Sequence, residues 1–179
     1  MVLVLTGVAV VMGGVLAFVN HVTAGPIEKQ KEMALENGIK AVMQADNLTV
    51  THTDTVKMEA NGKEQVYIIY NNEKGVAVQS STMGFGGELK VLVGFDTDGN
   101  ILGYTLLEHQ ETPGLGAKAD QWFQKDGKGS IIGMNPGIKA LDVKPAKGGQ
   151  GDVDAITAST ITTRAFLKAV NNAYNAYKT

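Results

Sequence analysis

Four hydroxyl side chains, Thr157, Ser159, Thr160 and Thr162, crowd together behind Asp152 and Asp154 and directly ahead of a helix-period run. A helix start presents backbone N–H groups that have no intrahelical partner, and it carries the positive end of the helix dipole. A phosphate held there, or esterified to a hydroxyl there, is electrostatically favoured. The same residues have a plainer reading, in which Thr157 or Ser159 is an ordinary N-cap, a position where Ser and Thr are preferred. Arg164, four residues beyond Thr160, is placed either to reach such a phosphate or to sit solvated on the helix surface.

A second segment with chemical content is His109-Gln-Glu111-Thr112-Pro113-Gly114-Leu115-Gly116. Its two glycines let backbone approach a ligand closely, or they serve a strand-to-helix turn that needs them for geometry. His109 and Glu111 make a poor metal site, because the chain has only three histidines and no third ligand is in evidence. Residues 83–87, Met-Gly-Phe-Gly-Gly, lack the full dinucleotide-binding spacing, since Leu89 stands where the last glycine would be. They mark a turn, or a place where backbone passes close to a flat ligand.

The stretch Asp154-Ala-Ile-Thr157-Ala158-Ser159-Thr160-Ile-Thr162 resembles the flavinylation sequence of the FMN-binding domain family, found in the G subunit of Rnf complexes and the C subunit of sodium-pumping quinone reductases. The 109–116 segment resembles the same family, in which it lies beside the flavin. The resemblance covers nearly the whole chain, with the single N-terminal span and the Trp122-Phe123 region included. It departs at Ala158-Ser159, where the family more often has Gly-Ala. The resemblance implies covalent FMN on Thr160 through a phosphoester, attached by a separate flavin transferase. It also implies that Asp154, Thr157, Ala158, Ser159, His109, Glu111, Thr112, Gly114, Leu115 and Gly116 surround the flavin, with no catalytic side chain and no metal. The implied role is a redox subunit of an Rnf-type ferredoxin:NAD oxidoreductase that moves sodium ions or protons. Its partners would be the other membrane and peripheral subunits. The location would be the bacterial inner membrane, with one span and the soluble domain on the outer, periplasmic side. The alternatives are a subunit of a sodium-pumping NADH:quinone reductase, whose counterpart is longer, a membrane-tethered flavin-binding sensory or assembly module, and a self-sufficient flavoenzyme.

Composition agrees with a redox role that rests on a bound group. The chain has 179 residues, no cysteine and a net charge of -2, with Arg164 as its sole arginine. That leaves no thiolate-held iron–sulfur cluster, no disulfide and no basic patch for nucleic acid. Redox chemistry must then sit on a cofactor such as a flavin.

The elements that must position these residues follow from periodicity. Residues 1–19 are apolar apart from Thr6 and glycines, and no charge appears before Glu28, so a transmembrane helix is expected over 1–25. A cleaved signal peptide ending at Val22-Thr23-Ala24 is the competing reading. Ala9, Gly13 and Ala17 form a small-residue row that either receives another helix or reflects common membrane-helix composition. Leu35, Ile39 and Val42 mark an amphipathic helix over about 27–43, within a linker region 26–50. An FMN-binding domain over 51–179 follows. Its strands are expected at 55–60, 66–70, 76–80, 88–95 and 101–107, with a turn at Asn61-Gly62 and a hairpin turn, not a calcium loop, at 96–100. Residues 127–151 read as a long ordered loop, and 160–177 as a final helix with Ile161, Ala165, Ala169, Ala173 and Tyr177 on its buried stripe. The expected fold is α+β, with one N-terminal transmembrane helix, a mainly antiparallel sheet and flanking helices.

Overall fold

The computed structural model describes residues 1–44, 50–60, 63–144 and 151–179. The Asn61-Gly62 turn lies outside the described residues, as do residues 145–150 of the long loop. Two compact units divide the chain, Met1–Glu36 and Asn37–Thr179. The first consists of the greater part of helix α1 (Val2–Met43), whose most apolar window is wholly exposed and which is long and apolar enough to cross a membrane. Pro26 lies inside α1, so one helix runs where the sequence suggests two. A proline removes a single helical donor and displaces one carbonyl, which a long helix can survive.

In the second unit, five strands form one antiparallel sheet in the order β1-β2-β3-β4-β5. They are β1 (His52–Ala60), β2 (Lys63–Asn72), β3 (Gly75–Met83), β4 (Glu88–Phe95) and β5 (Ile101–Glu108). All five lie where the sequence puts them; the first three run further at their ends, and β5 by one residue. Polar pairs such as His52 with Asn71 and Glu59 with Glu64 continue the β1–β2 ladder past the apolar alternation that marks a strand in sequence. The 96–100 turn is a hairpin turn as expected, in which the Asp96 carboxylate accepts from the backbone N–H groups of Asp98 (2.9 Å) and Asn100 (2.8 Å).

The two faces of the sheet are covered differently. Leu89, Val91, Val93 and Phe95 of β4, with Tyr67 and Ile69 of β2, enter the core with Phe166, Ala169, Val170 and Ala173 of helix α3 (Thr160–Tyr177). Burying each such apolar side chain contributes about 1.5–3 kcal/mol. On the other face Gly94 and Gly103 admit the end of α1, because a Cβ on Gly94 would fall 2.6 Å from the Val42 carbonyl oxygen. A short helix, α2 (Ala119–Trp122), follows β5 and sets Phe123 flat against Phe166, with ring centroids 4.3 Å apart. The Tyr104 hydroxyl joins them by donating to the Ala119 carbonyl and accepting from the Phe123 N–H. Burial pushes the Tyr104 phenol well above its ordinary range.

Helix α3 has the expected bounds, but its buried face differs at one end. Ala165, Ala169 and Ala173 are buried as expected, whereas Ile161 is 60% exposed. The buried face is set by Thr162, Phe166, Ala169 and Ala173. Ile161 shares its stripe with the buried Ala165 one turn on, and it is exposed because in the first turn that stripe borders an open cavity.

Candidate functional site

Three segments meet at the start of α3: the turn 83–87 between β3 and β4, the loop 109–116 after β5, and residues 156–162. The turn is closed by Gly84 N–H donating to the Gly87 carbonyl at 2.8 Å, and it leaves the Phe85 side chain 68% exposed. The loop folds back on Thr112, whose carbonyl accepts from the N–H groups of Leu115 (3.1 Å) and Ala117 (3.2 Å). Its two glycines serve different ends. Gly114 has φ +76° with open space around a would-be Cβ, so glycine is needed there for backbone conformation. Gly116 is needed for room, since a Cβ would come 2.5 Å from Glu111 Oε2 and 2.9 Å from Thr162 Oγ1.

Glu111 ties the three segments together from inside. It is 6% exposed, and its Oε1 accepts from the Phe85 N–H at 2.8 Å and the Gly86 N–H at 3.4 Å. Its Oε2 accepts from the Thr162 hydroxyl at 2.8 Å. A buried carboxylate is tolerated when donors surround it in this way. His109 stands behind it, with Nδ1 accepting from the Glu111 N–H at 3.4 Å and Nε2 3.8 Å from Asp120.

The start of α3 is reached through a tight turn. Ser159 N–H donates to the Ile156 carbonyl, and Ala158 between them has φ +60°, a left-handed conformation that glycine adopts without penalty. The Gly-to-Ala departure in the motif therefore falls on the one backbone position where glycine would be at ease. Ser159 occupies the N-cap position, but its side chain makes no capping hydrogen bond. Its Oγ lies 3.3 Å from Thr162 Oγ1 instead. Thr163 accepts from the Ile156 N–H and donates to the Ser159 carbonyl, fixing the turn from below. The ordinary N-cap reading of Ser159 thus does not describe its hydroxyl. Thr157 is exposed on the turn.

Thr160, the first residue of α3, is exposed, and among the described residues its hydroxyl has no hydrogen-bond partner. It lines a cavity of about 410 Å³ together with Phe85, Thr112, Leu115, Ala158, Ser159, Ile161 and Thr162. Among its lining residues Phe85, Ile161 and Leu115 are apolar side chains left exposed to water. No acidic residue lies in the first turn of α3, and the nearby Asp154 carboxylate is paired with Lys144 at 3.1 Å. Uncapped N–H groups, an open hydroxyl and apolar walls make a place for a phosphate ester that carries a flat ring.

The cavity therefore gathers Thr160, Ser159, Ala158, Thr112 and Leu115, while Gly114 and Gly116 shape its loop. Glu111 and His109 sit behind its wall, and Asp154 turns away to Lys144. Arg164 is exposed further along α3 and has no side-chain partner among the described residues. The sequence marks residues 83–87 without assigning the Phe85 side chain, places Ile161 on the buried stripe, and carries no sign of the Glu111–Thr162 bond. The bond joins residues 51 apart, and no spacing announces it. A larger cavity of about 540 Å³ lies along α2, lined by Lys118, Gln121, Trp122, Gln124, Asp126, Gly127 and Lys128. It holds none of the hydroxyls, so size is not the guide to the chemistry here. The Trp122 indole N–H donates to the Asp154 carbonyl at 2.8 Å and so holds the chain that leads to the turn.

Known proteins are similar to this chain over most of its length. The family model described as FMN-binding domain matches residues 84–175. The G subunit of an ion-translocating oxidoreductase complex from Shewanella baltica is 33% identical, over 92% of this chain and 82% of its own length. The G subunit of a Na(+)-translocating ferredoxin:NAD(+) oxidoreductase complex from Acetobacterium woodii is also 33% identical, over 98% of this chain and 89% of its own. The crystal structure of the C subunit of Na(+)-translocating NADH-quinone reductase from Parabacteroides distasonis has a similar fold, with TM-score 0.54 at 19% identity, over 85% of this chain and 94% of that one.

Proposed function

Because the chain belongs to the family of FMN-binding domains, we propose that it is a membrane-anchored redox subunit of an Rnf-type ferredoxin:NAD(+) oxidoreductase complex, with FMN esterified to Thr160. The observation that carries this reading is the exposed, unpartnered Thr160 hydroxyl at an uncapped helix start, inside an apolar-walled cavity. Supporting it, relatives alike over most of their length are named as G subunits of ion-translocating complexes, whereas the quinone-reductase protein is alike in fold.

The residues present fit the group. The backbone N–H groups of the first turn of α3 would hold the phosphate, with the helix dipole favouring its charge. Phe85, Leu115 and Ile161 would flank the ring and keep water from it, and Thr112 and Ser159 offer polar atoms at the cavity wall. When bound, FMN supplies electron transfer in single or paired steps, which no side chain here can provide.

Esterification exchanges the Oγ1–H bond of Thr160 for an Oγ1–P bond. The donor is a phosphoanhydride of FMN, whose bond to the leaving phosphate breaks as the hydroxyl proton passes to a base. The residues that line the cavity include no carboxylate, histidine or lysine to take that proton, which favours a separate flavin transferase as the source of the base. A soluble domain on the outer side of the membrane gives covalent attachment a purpose, since a reversibly held cofactor would be lost by mass action. Intact mass and peptide mapping of protein made with a flavin transferase test this reading. Flavin on Thr160, absent in Thr160→Val, is expected, and flavin on another residue would overturn the assignment.

A further inference from the structure

Resting on the Thr160 reading, we propose that Glu111 is a positioning residue that decides which hydroxyl at the start of α3 is presented for modification. The hydroxyls there have unequal fates. Thr163 is engaged by the Ile156 N–H and the Ser159 carbonyl. Thr162 is fully buried and donates to Glu111 at 2.8 Å, and Ser159 Oγ lies 3.3 Å from the same Thr162 oxygen. The Glu111 carboxylate therefore draws Thr162 inward, and Ser159 follows through Thr162. Ser159, Thr160 and Thr162 all line the cavity, and of the three only the Thr160 hydroxyl is left unengaged among the described residues. The other oxygen of Glu111 holds the Phe85 N–H at 2.8 Å, and Gly116 leaves room for the carboxylate. One buried group thus sets the hydroxyl and two walls of the cavity together.

The test follows intact mass over time for the full chain incubated with flavin transferase and an FMN phosphoanhydride, maps the modified residue, and records thermal unfolding of each unloaded protein. The variants are Glu111→Gln, Thr162→Val, their combination, and Thr162→Ser, which keeps the hydroxyl. Thr162→Val should fold, load Thr160 about ten-fold more slowly, the scale of one lost charge-assisted hydrogen bond, and let flavin appear on the released Ser159. Glu111→Gln should show the same slowing and the same appearance of flavin on Ser159, and Thr162→Ser should restore loading of Thr160 alone. The double variant should be no slower than the slower single variant, because both remove one interaction. Wild-type rates with flavin on Thr160 alone, in folded Thr162→Val or folded Glu111→Gln, would overturn the proposal. If Glu111→Gln does not fold, Thr162→Val decides. Flavin found on Ser159 or Thr157 in the unaltered chain would reject the Thr160 reading itself, a result independent of these variants.

Discussion

Ala158 shows how a single backbone angle tunes the site. Its φ of +60° places a Cβ where an L-residue is strained by about 1–2 kcal/mol. Glycine would relieve that strain and give back part of the gain as unfolded-chain entropy. Ala158→Gly should therefore raise stability by up to about 1 kcal/mol, seen as a higher denaturant midpoint at unchanged slope. The two glycines of the 109–116 loop should separate in the opposite sense. Gly114→Ala meets no neighbour within 4 Å and should cost about 1 kcal/mol through its backbone angle alone. Gly116→Ala drives a methyl into the Glu111 carboxylate and Thr162, so it should cost about 1–3 kcal/mol and also slow flavin loading. Equal effects of the two substitutions on loading would show that the loop does not depend on the Glu111 contact.

At the scale of elements, the β4–β5 hairpin makes a pH-dependent contribution with a definite sign. Partial burial acts to raise the pKa of Asp96, but hydrogen bonds from Asn100, Asp98 and Gly99 outweigh it and hold the carboxyl below its usual range. A depressed folded-state pKa contributes stability that is present above the unfolded value of about 3.9 and is lost as pH falls through the folded value. Asp96→Asn should lower the melting temperature at pH 6, and the difference from the unaltered chain should shrink toward zero near pH 2. The strands and α3 were legible because alternation and helical periodicity report burial directly, and β4 and α3 have the bounds read from the sequence. The site was legible in part. The glycines of the 109–116 loop and the hydroxyl cluster stand out by type, but the exposure of Ile161 depends on the open cavity that borders the first turn of α3. The Glu111–Thr162 bond arises only when β5 and α3 come together, and local sequence carries no trace of a contact across 51 residues. The strand ends of β1 and β2 were missed for a related reason, since polar cross-strand pairs extend a ladder without an apolar signal.

At the scale of the whole molecule, an apolar helix able to cross a membrane precedes a unit in which the cavity at the start of α3 is lined by hydroxyls and apolar side chains. On the reading proposed above, the chain would relay electrons within a complex and would not turn over a substrate alone. The flavin-loaded chain should be reducible by dithionite yet should not oxidise NADH at a useful rate, and steady NADH turnover by the isolated chain would favour a self-sufficient flavoenzyme. In the assembled complex, Thr160→Val should interrupt ferredoxin-linked or NADH-linked electron flow while the altered chain stays in place, measured by flow and by the protein composition of the purified complex. All of this depends on where the flavin is bonded. The most direct measurement is peptide mass mapping of protein produced with a flavin transferase. The FMN mass is expected on Thr160, and Thr160→Val should be unmodified although folded. An unmodified Thr160 in the fully loaded protein, or a flavin that persists covalently in Thr160→Val, would contradict the account.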